Sequence, residues 1–353
     1  MKNKVIPILW KDNILQLIDQ RKLPLLEEYV DVKNLEDTFD AIEKMVVRGA
    51  PLIGFTALFG LVVHVNAARK LSLESIKSAC DYLCKSRPTA VNLAYELDRA
   101  LKLAEEIFLE TKSLDSYARK LETFAIEQMS NLHDNNLTMA KIASQDLKEK
   151  FGDKKLRLMT LCNTGALACG PMGTALGVIE HVFSEGNVEH VYASETRPYL
   201  QGSRLTAFEL CANSIPHSIT VEGAFSYLLR NKLVDAVFIG ADRIARNGDT
   251  ANKVGSSSLA IVCKYYDVPF YVVAPTSSFD LDTLEGNDIE IELRSEDEIL
   301  SYKDRRIAPM ESHAFNPSFD ITDHKIIEAL ICENGLIRHP NTEEVMRVVK
   351  GNK

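Results

Sequence analysis

Between residues 156 and 275, short apolar runs alternate with helical segments. LRLMTLC, HVYAS, HSITVEG, AVFIGAD and FYVVAP stand between stretches whose apolar residues recur every three or four positions. Each run is too short for a helix, and the first four are each followed by one, which calls for a parallel sheet covered by helices. The expected class is therefore α/β. Ligands of such sheets bind at the carboxyl ends of the strands. Four of the runs lead into polar or glycine-bearing sequence: CNTGALACG, SETRPYLQG, GADRIARNGDTANK and PTSSFD. On a parallel sheet these continuations share one rim, and an active site is expected there.

The first half of the chain has a different pattern. Ile6 to Trp10 and Ile14 to Ile18 flank a Lys-Asp-Asn turn and predict a hairpin. From Asn34 to about Lys148 the apolar spacing is helical throughout. The change comes near Phe151-Gly152-Asp153. The expected organisation is a helix-rich N-terminal domain with a small antiparallel β element over residues 1–148, then a catalytic domain over residues 149–353. No internal repeat and no low-complexity linker interrupts it.

Charge and composition exclude several classes. The formal net charge of −9 offers no basic face for nucleic acid. The N-terminal stretch MKNKVIPILWKDN lacks the apolar core of a signal peptide, and no apolar run reads as long enough for a bilayer, so no membrane association is expected. The seven cysteines include no CxxC pair, which predicts free thiols in a reducing, cytoplasmic setting. The eight histidines show no metal-ligand spacing. Gly165, Gly170, Gly173 and Gly177 match neither GxGxxG nor GxxxxGK[ST]. No metal and no cofactor is expected, and a dehydrogenase is disfavoured.

Several groups suited to chemistry remain. Cys162 ends the LRLMTLC run, where substrate and backbone N–H groups could reach a thiolate; a small core residue is the plainer reading. Cys169 is the weaker rival. Asp242 follows an apolar run and Gly240-Ala241, a position that desolvates a carboxyl and suits it to donate a proton; capping the next turn or pairing with Arg243 are the alternatives. Asn252 and Lys253 are expected to open a helix, a place suited to phosphate. Arg48-Gly49-Ala50-Pro51 bends out of one helix into another and offers a second such place, and Arg87 before Pro88 a third. These residues point to an enzyme acting on a small phosphorylated substrate.

The motifs LIDQRKLP, MVVRGAPLIG, SRPTAVNL, LCNTGALACGPMGTALGVIE, SETRPYLQGSRLTAFEL, IGADRIARNGDTANKVGSSSLA, YVVAPTSSFD, IELRS and NPSFDIT occur in order from about residue 9 to 335. Together they resemble the S-methyl-5-thioribose-1-phosphate isomerase family, the aldose–ketose isomerases of methionine salvage. The resemblance implies a Rossmann-like C-terminal domain and a homodimer. It implies that Cys162 is the catalytic cysteine and Asp242 the proton donor. It further implies that Arg48, Gly49, Ala50, Arg87, Gln201, Asn252 and Lys253 bind the substrate. The chain departs from the usual pattern at Leu161, in CGPMG, in GSSS, and at Phe55 and Phe59. None of these is a catalytic or phosphate position. They bear on the pocket for the sugar's 5-substituent, so 5-deoxyribose 1-phosphate, the substrate of relatives on the same scaffold, is the alternative. Non-catalytic regulatory subunits of the translation-initiation exchange factor also share this fold, but have no need of the full set of residues above.

Overall fold

The computed structural model describes residues 5–88, 91–302 and 305–351. Thr89 and Ala90 of the SRPTAVNL motif, and the first four residues of the N-terminal stretch, lie outside them. The chain forms two compact units: one runs to Asp134 and includes Gly165–Gly173, and the other comprises Asn135–Thr164 and Thr174 onward.

The first unit opens with a three-stranded antiparallel sheet, β1 (Ile8–Lys11), β2 (Ile14–Ile18) and β3 (Tyr29–Val32). The first strand begins two residues later and ends one later than the sequence pattern placed it. Asp12 and Asn13 both take positive φ, 53° and 62°, which makes a two-residue hairpin turn and fixes Lys11 opposite Ile14. Helices follow: α1 (Leu35–Glu43), α2 (Ala50–Ala67), α3 (Leu73–Cys84), α4 (Val91–Thr111) and α5 (Tyr117–Phe151), which continues into the second unit. Asn34 caps α1 by accepting from the Asp37 N–H at 2.7 Å, and Ser72 and Ser75 form a reciprocal capping box on α3. The short α6 (Ala166–Cys169) completes the unit.

Helix α2 corrects the expectation that no apolar run could span a bilayer, since its 18 residues are long and apolar enough by composition. Thirteen of them are buried inside this unit, among them Phe55 and Phe59, so it is the unit's central core helix. Phe59 packs on Trp10 with ring centroids 5.4 Å apart, and Tyr117, fully buried, donates its hydroxyl to the Ala100 carbonyl at 2.9 Å.

The second unit is the α/β layer structure that the alternation requires. In chain order it contains β4 (Leu156–Thr160), α7 (Ala175–Ser184), β5 (Val188–Ser194), α8 (Ala207–Ala212), β6 (His217–Thr220), α9 (Phe225–Arg230) and β7 (Ala236–Ile239). The short strands β8 (Arg243–Ala245) and β9 (Thr250–Lys253) come next, then α10 (Ser256–Tyr265), β10 (Phe270–Val273), β11 (Phe279–Asp280), α11 (Asp297–Leu300), β12 (Ser301–Tyr302) and β13 (Arg305–Arg306). The chain ends with β14 (Phe319–Thr322), β15 (Ala329–Cys332), β16 (Gly335–Arg338) and α12 (Thr342–Lys350).

Seven strands form the main sheet in the order β16-β15-β10-β7-β4-β5-β6. All its pairings are parallel except β15–β16, a hairpin at one edge. Strands β7, β10 and β15 are buried at every position, as both faces of a covered parallel sheet must be. Within that sheet Phe238 and Tyr271 stack at 4.8 Å, and Tyr271 donates to Asp146 of α5 at 2.7 Å.

The chain after Asp242 corrects a second expectation. It is no loop leading to a helix at Lys253: β8 and β9 pair antiparallel within a small sheet of order β11-β8-β9-β14. Asn252 and Lys253 are its last β9 residues, opposite Asp320 and Phe319 of β14. Helix α10 opens only at Ser256, behind Gly255 in the left-handed conformation.

Candidate active site

Strand β4 pairs with β5 on one side and β7 on the other. The chain moves outward from β4 through β5 to β6, then returns to lay β7 on β4's other flank. The sheet therefore reverses direction between β4 and β7. That is the place where parallel sheets open a crevice at their carboxyl ends. Cys162 leaves β4 there, and Asp242 leaves β7. A Cβ at Gly240 would stand 2.8 Å from the Thr164 methyl, so glycine allows the end of β7 to close onto the turn that carries Cys162.

Cys162 is only 7% exposed and takes φ +68°. A non-glycine residue in that region is disfavoured by roughly 1–2 kcal/mol, and its neighbours hold it. Its N–H donates to Thr196 Oγ1 at 2.9 Å, and its carbonyl accepts from Thr206 Oγ1 at 2.6 Å. Thr196, itself at φ +61°, is fixed in turn: its N–H donates to Glu222 at 2.7 Å, and the Ser194 hydroxyl donates to the same carboxylate oxygen. The side chain of Asn163 donates to Glu209 at 2.7 Å.

The thiol itself is touched by Gln201, whose Nε2 stands 3.2 Å from Cys162 Sγ. Gln201 is 1% exposed, and its Oε1 has no hydrogen-bond partner among the described residues. A buried acceptor beside a thiol is suited to a ligand hydroxyl. Gln201 precedes a π-helical turn, Gly202–Thr206, a local form common at functional sites. A Cβ at Gly202 would fall 1.6 Å from the Ser194 carbonyl oxygen, so only glycine lets this turn lie against the end of β5.

Asp242 is half-buried, and its N–H donates to the Ala251 carbonyl at 3.0 Å, which ties it to β9. Arg243, the partner considered from sequence, is turned to Asp280 at 3.4 Å. Asn252 is buried, and its Nδ2 donates to Ser256 Oγ at 2.8 Å, holding the turn from β9 into α10. The Lys253 ammonium lies 4.9 Å above the Phe319 ring. The N-terminus of α10 is occupied by a carboxylate of the chain: Asp320 accepts from the Gly255 and Ser257 N–H groups at 2.7 and 3.1 Å. The expected helix-terminal phosphate position at Asn252-Lys253 is thus replaced by a strand end that offers an amide and an ammonium.

The structure therefore brings Cys162 and Gln201 into contact and places Asp242, Asn252 and Lys253 on one small antiparallel ribbon, all in the second unit. Arg48, Gly49, Ala50 and Arg87 belong to the first unit. There Gly49 is the N-cap of α2 and Ala50 its first residue, with half-buried Arg48 just before them. Arg87 is half-buried in the bend after α3, and Cys169 closes α6, buried.

Sequence reasoning missed Asn163, Thr196, Thr206, Glu209, Glu222 and Asp320. Thr196, Thr206 and Glu209 fall inside the SETRPYLQGSRLTAFEL motif, Asn163 inside LCNTGALACGPMGTALGVIE and Asp320 inside NPSFDIT, which is where a search could have begun. One further cluster, Asp249, Asp323 and His324, brings its ligand-capable atoms within 4.8 Å of one another. Burial would raise the Asp249 carboxyl, but hydrogen bonds from His324, Asn247 and Gly286 hold it below its ordinary range. Those bonds join β9's approach to the 286 and 324 turns, a structural task.

Comparison with known proteins gives the family and the fold. Residues 46–339 match the model of the Initiation factor 2 subunit family. A methylthioribose-1-phosphate isomerase from Thermotoga maritima is 41% identical over 351 residues, covering 99% of this chain and all of the relative. The crystal structure of 5-methylthioribose 1-phosphate isomerase from Pyrococcus horikoshii superposes with a TM-score of 0.91 at 33% identity, covering 98% of this chain and 96% of that one. A structure described as the translation initiation factor eIF-2B subunit delta from A. fulgidus gives 0.86 at 34% identity, over 98% of this chain and all of that one. By sequence over nearly its whole length and by fold, the chain belongs to the Initiation factor 2 subunit family and, within it, to the methylthioribose-1-phosphate isomerases.

Proposed function

We propose that the chain is an aldose–ketose isomerase that converts S-methyl-5-thio-α-D-ribose 1-phosphate to S-methyl-5-thio-D-ribulose 1-phosphate in methionine salvage. The observation that carries the reading is the delivery of a buried thiol and a half-buried carboxyl from adjacent strands, β4 and β7, at the reversal point of the sheet. A sugar esterified at C1 cannot open to its aldehyde unaided, because the anomeric oxygen is locked to phosphorus. In the proposed reaction Asp242 gives a proton to the ring oxygen as the bond from C1 to that oxygen breaks. One hydrogen then moves from C2 to C1, assisted by Cys162. The C2 hydroxyl becomes the ketone, and the proton it loses balances the one Asp242 gave. A water-poor site protects the open species, and the burial of Cys162 and Gln201 suits that need.

Arg48, Gly49, Ala50, Arg87, Gln201, Asn252 and Lys253 are proposed as substrate contacts. The orphan Oε1 of Gln201 is the best supported of them, as an acceptor for a sugar hydroxyl. A cytoplasmic location is supported by the cysteines, which form no disulfide among the described residues. A homodimer is supported by exposed apolar side chains on the second unit: Ile219 on edge strand β6, Val221 after it, Tyr227 on α9, and Ile261 and Tyr265 on α10. Light scattering should give twice the chain mass of 39.5 kDa, and Tyr227→Glu should lower it toward one chain. A wild-type mass of one chain would end the dimer reading.

Ketose formation from 5-methylthioribose 1-phosphate and 5-deoxyribose 1-phosphate, compared as kcat/KM, tests the function. The thio-sugar should be preferred. Preference for the deoxy-sugar would make CGPMG and GSSS specificity determinants. Turnover of neither would favour the reading as a non-catalytic translation-initiation subunit, the name that the A. fulgidus protein carries.

A further inference from the structure

Cys162 keeps its left-handed backbone because its neighbours hold it, and one of those supports has no counterpart in the reaction. The residue after the cysteine, Asn163, is buried and turns its side chain away into the layer behind β4. There Nδ2 donates to Glu209 Oε1 at 2.7 Å and to Thr206 Oγ1 at 3.3 Å. The same Thr206 hydroxyl donates to the Cys162 carbonyl at 2.6 Å, so one cluster grips both the cysteine and its successor. Glu209 lies on α8 and is 0% exposed. A carboxyl so deep needs strong partners, and an amide donor to a carboxylate is a charge-assisted bond, stronger than a neutral one. Beside it stands Glu180 of α7, which accepts from Asn213 Nδ2 at 2.9 Å. Burial first, and then the Glu209 charge, push Glu180 up to about 9, so at neutral pH it carries a proton. With Glu180 neutral, Glu209 Oε1 stands as the acceptor for the Asn163 amide.

We infer that Glu209 is a positioning residue for the Cys162 thiol, acting through the Asn163 side chain to hold the turn that aims the sulfur at the substrate. Glu209 reaches the cysteine's turn through its bond with Asn163, the next residue in the chain. The inference rests on the reading of Cys162 as a catalytic group. Its failure is separable from failure of that reading, because Cys162→Ser is assayed alongside. If Cys162→Ser keeps full turnover, the reading of the cysteine falls, and this inference with it.

The test is a reversal of hydrogen-bond polarity. Asn163→Asp sets two carboxylates against each other, and Glu209→Gln in the same chain supplies an amide donor to the new acid. Asn163→Asp alone should lower kcat by about tenfold or more, the equivalent of losing a bond to a charged group, with KM for the thio-sugar phosphate within about twofold of wild type. The double variant should regain kcat to within about threefold of Glu209→Gln alone. Glu209→Ala should also lower kcat with little change in KM. A double variant no better than Asn163→Asp, or a Glu209→Ala enzyme with wild-type kcat, overturns the inference. If Glu209→Ala does not fold, the Asp and Asp/Gln pair still decides it, since both retain a polar group of similar volume at each position.

Discussion

The thiol of Cys162 and the carboxyl of Asp242 were legible because strand-end positions announce themselves: an apolar run stops, a polar atom follows, and glycine is near. Thr196 was not, although it lies in a motif that the sequence singled out. Its task is to accept the N–H of a residue 34 positions earlier, and nothing local encodes that pairing. The same holds for Asp320, which reaches the N-terminus of α10 from 63 and 65 residues away. If the assigned roles are correct, Cys162→Ser and Asp242→Asn should each reduce kcat by about 10²–10⁴-fold, the range for removing a positioned acid–base group. Substrate affinity, measured by calorimetry with the inactive variants, should change little. A variant with near-normal turnover removes its residue from the chemistry.

Among the elements, α7 and α8 face each other with a carboxyl apiece, and this gives the chain a distinctive response to pH. Folded Glu180 keeps its proton up to about 9, whereas in the unfolded chain it loses that proton near its ordinary value of 4.5. Between those values the folded state binds the extra proton, so the unfolding free energy declines as pH rises through the window. Glu180→Gln keeps the acceptor for Asn213 and removes the titration. Its melting temperature should therefore fall less between pH 6 and pH 8.5 than that of wild type, and parallel curves would refute the buried-proton account. Other elements resisted sequence reading for a physical reason. TANK reads as the start of a helix when only its own neighbourhood is considered, yet β14, some 65 residues on, recruits it as a strand. Tertiary pairing overrode the local pattern. The β15–β16 hairpin was overlooked too, although Glu333-Asn334 before Gly335 is a turn signal between two apolar runs.

At the level of the whole molecule, alternation sufficed for the parallel sheet, but strand order was beyond it. Five runs in sequence do not say that the fourth returns to lie beside the first. That return is what puts Cys162 and Asp242 at the ends of neighbouring strands. It also has a consequence in time. The pairing of β4 with β7 closes a loop of more than seventy residues, an entropic cost that no local element bears. Helices and hairpins, built from near neighbours, form on a faster clock. A chain refolding from denaturant should therefore recover helical content before turnover, and the two signals followed together in one stopped-flow experiment would show that lag.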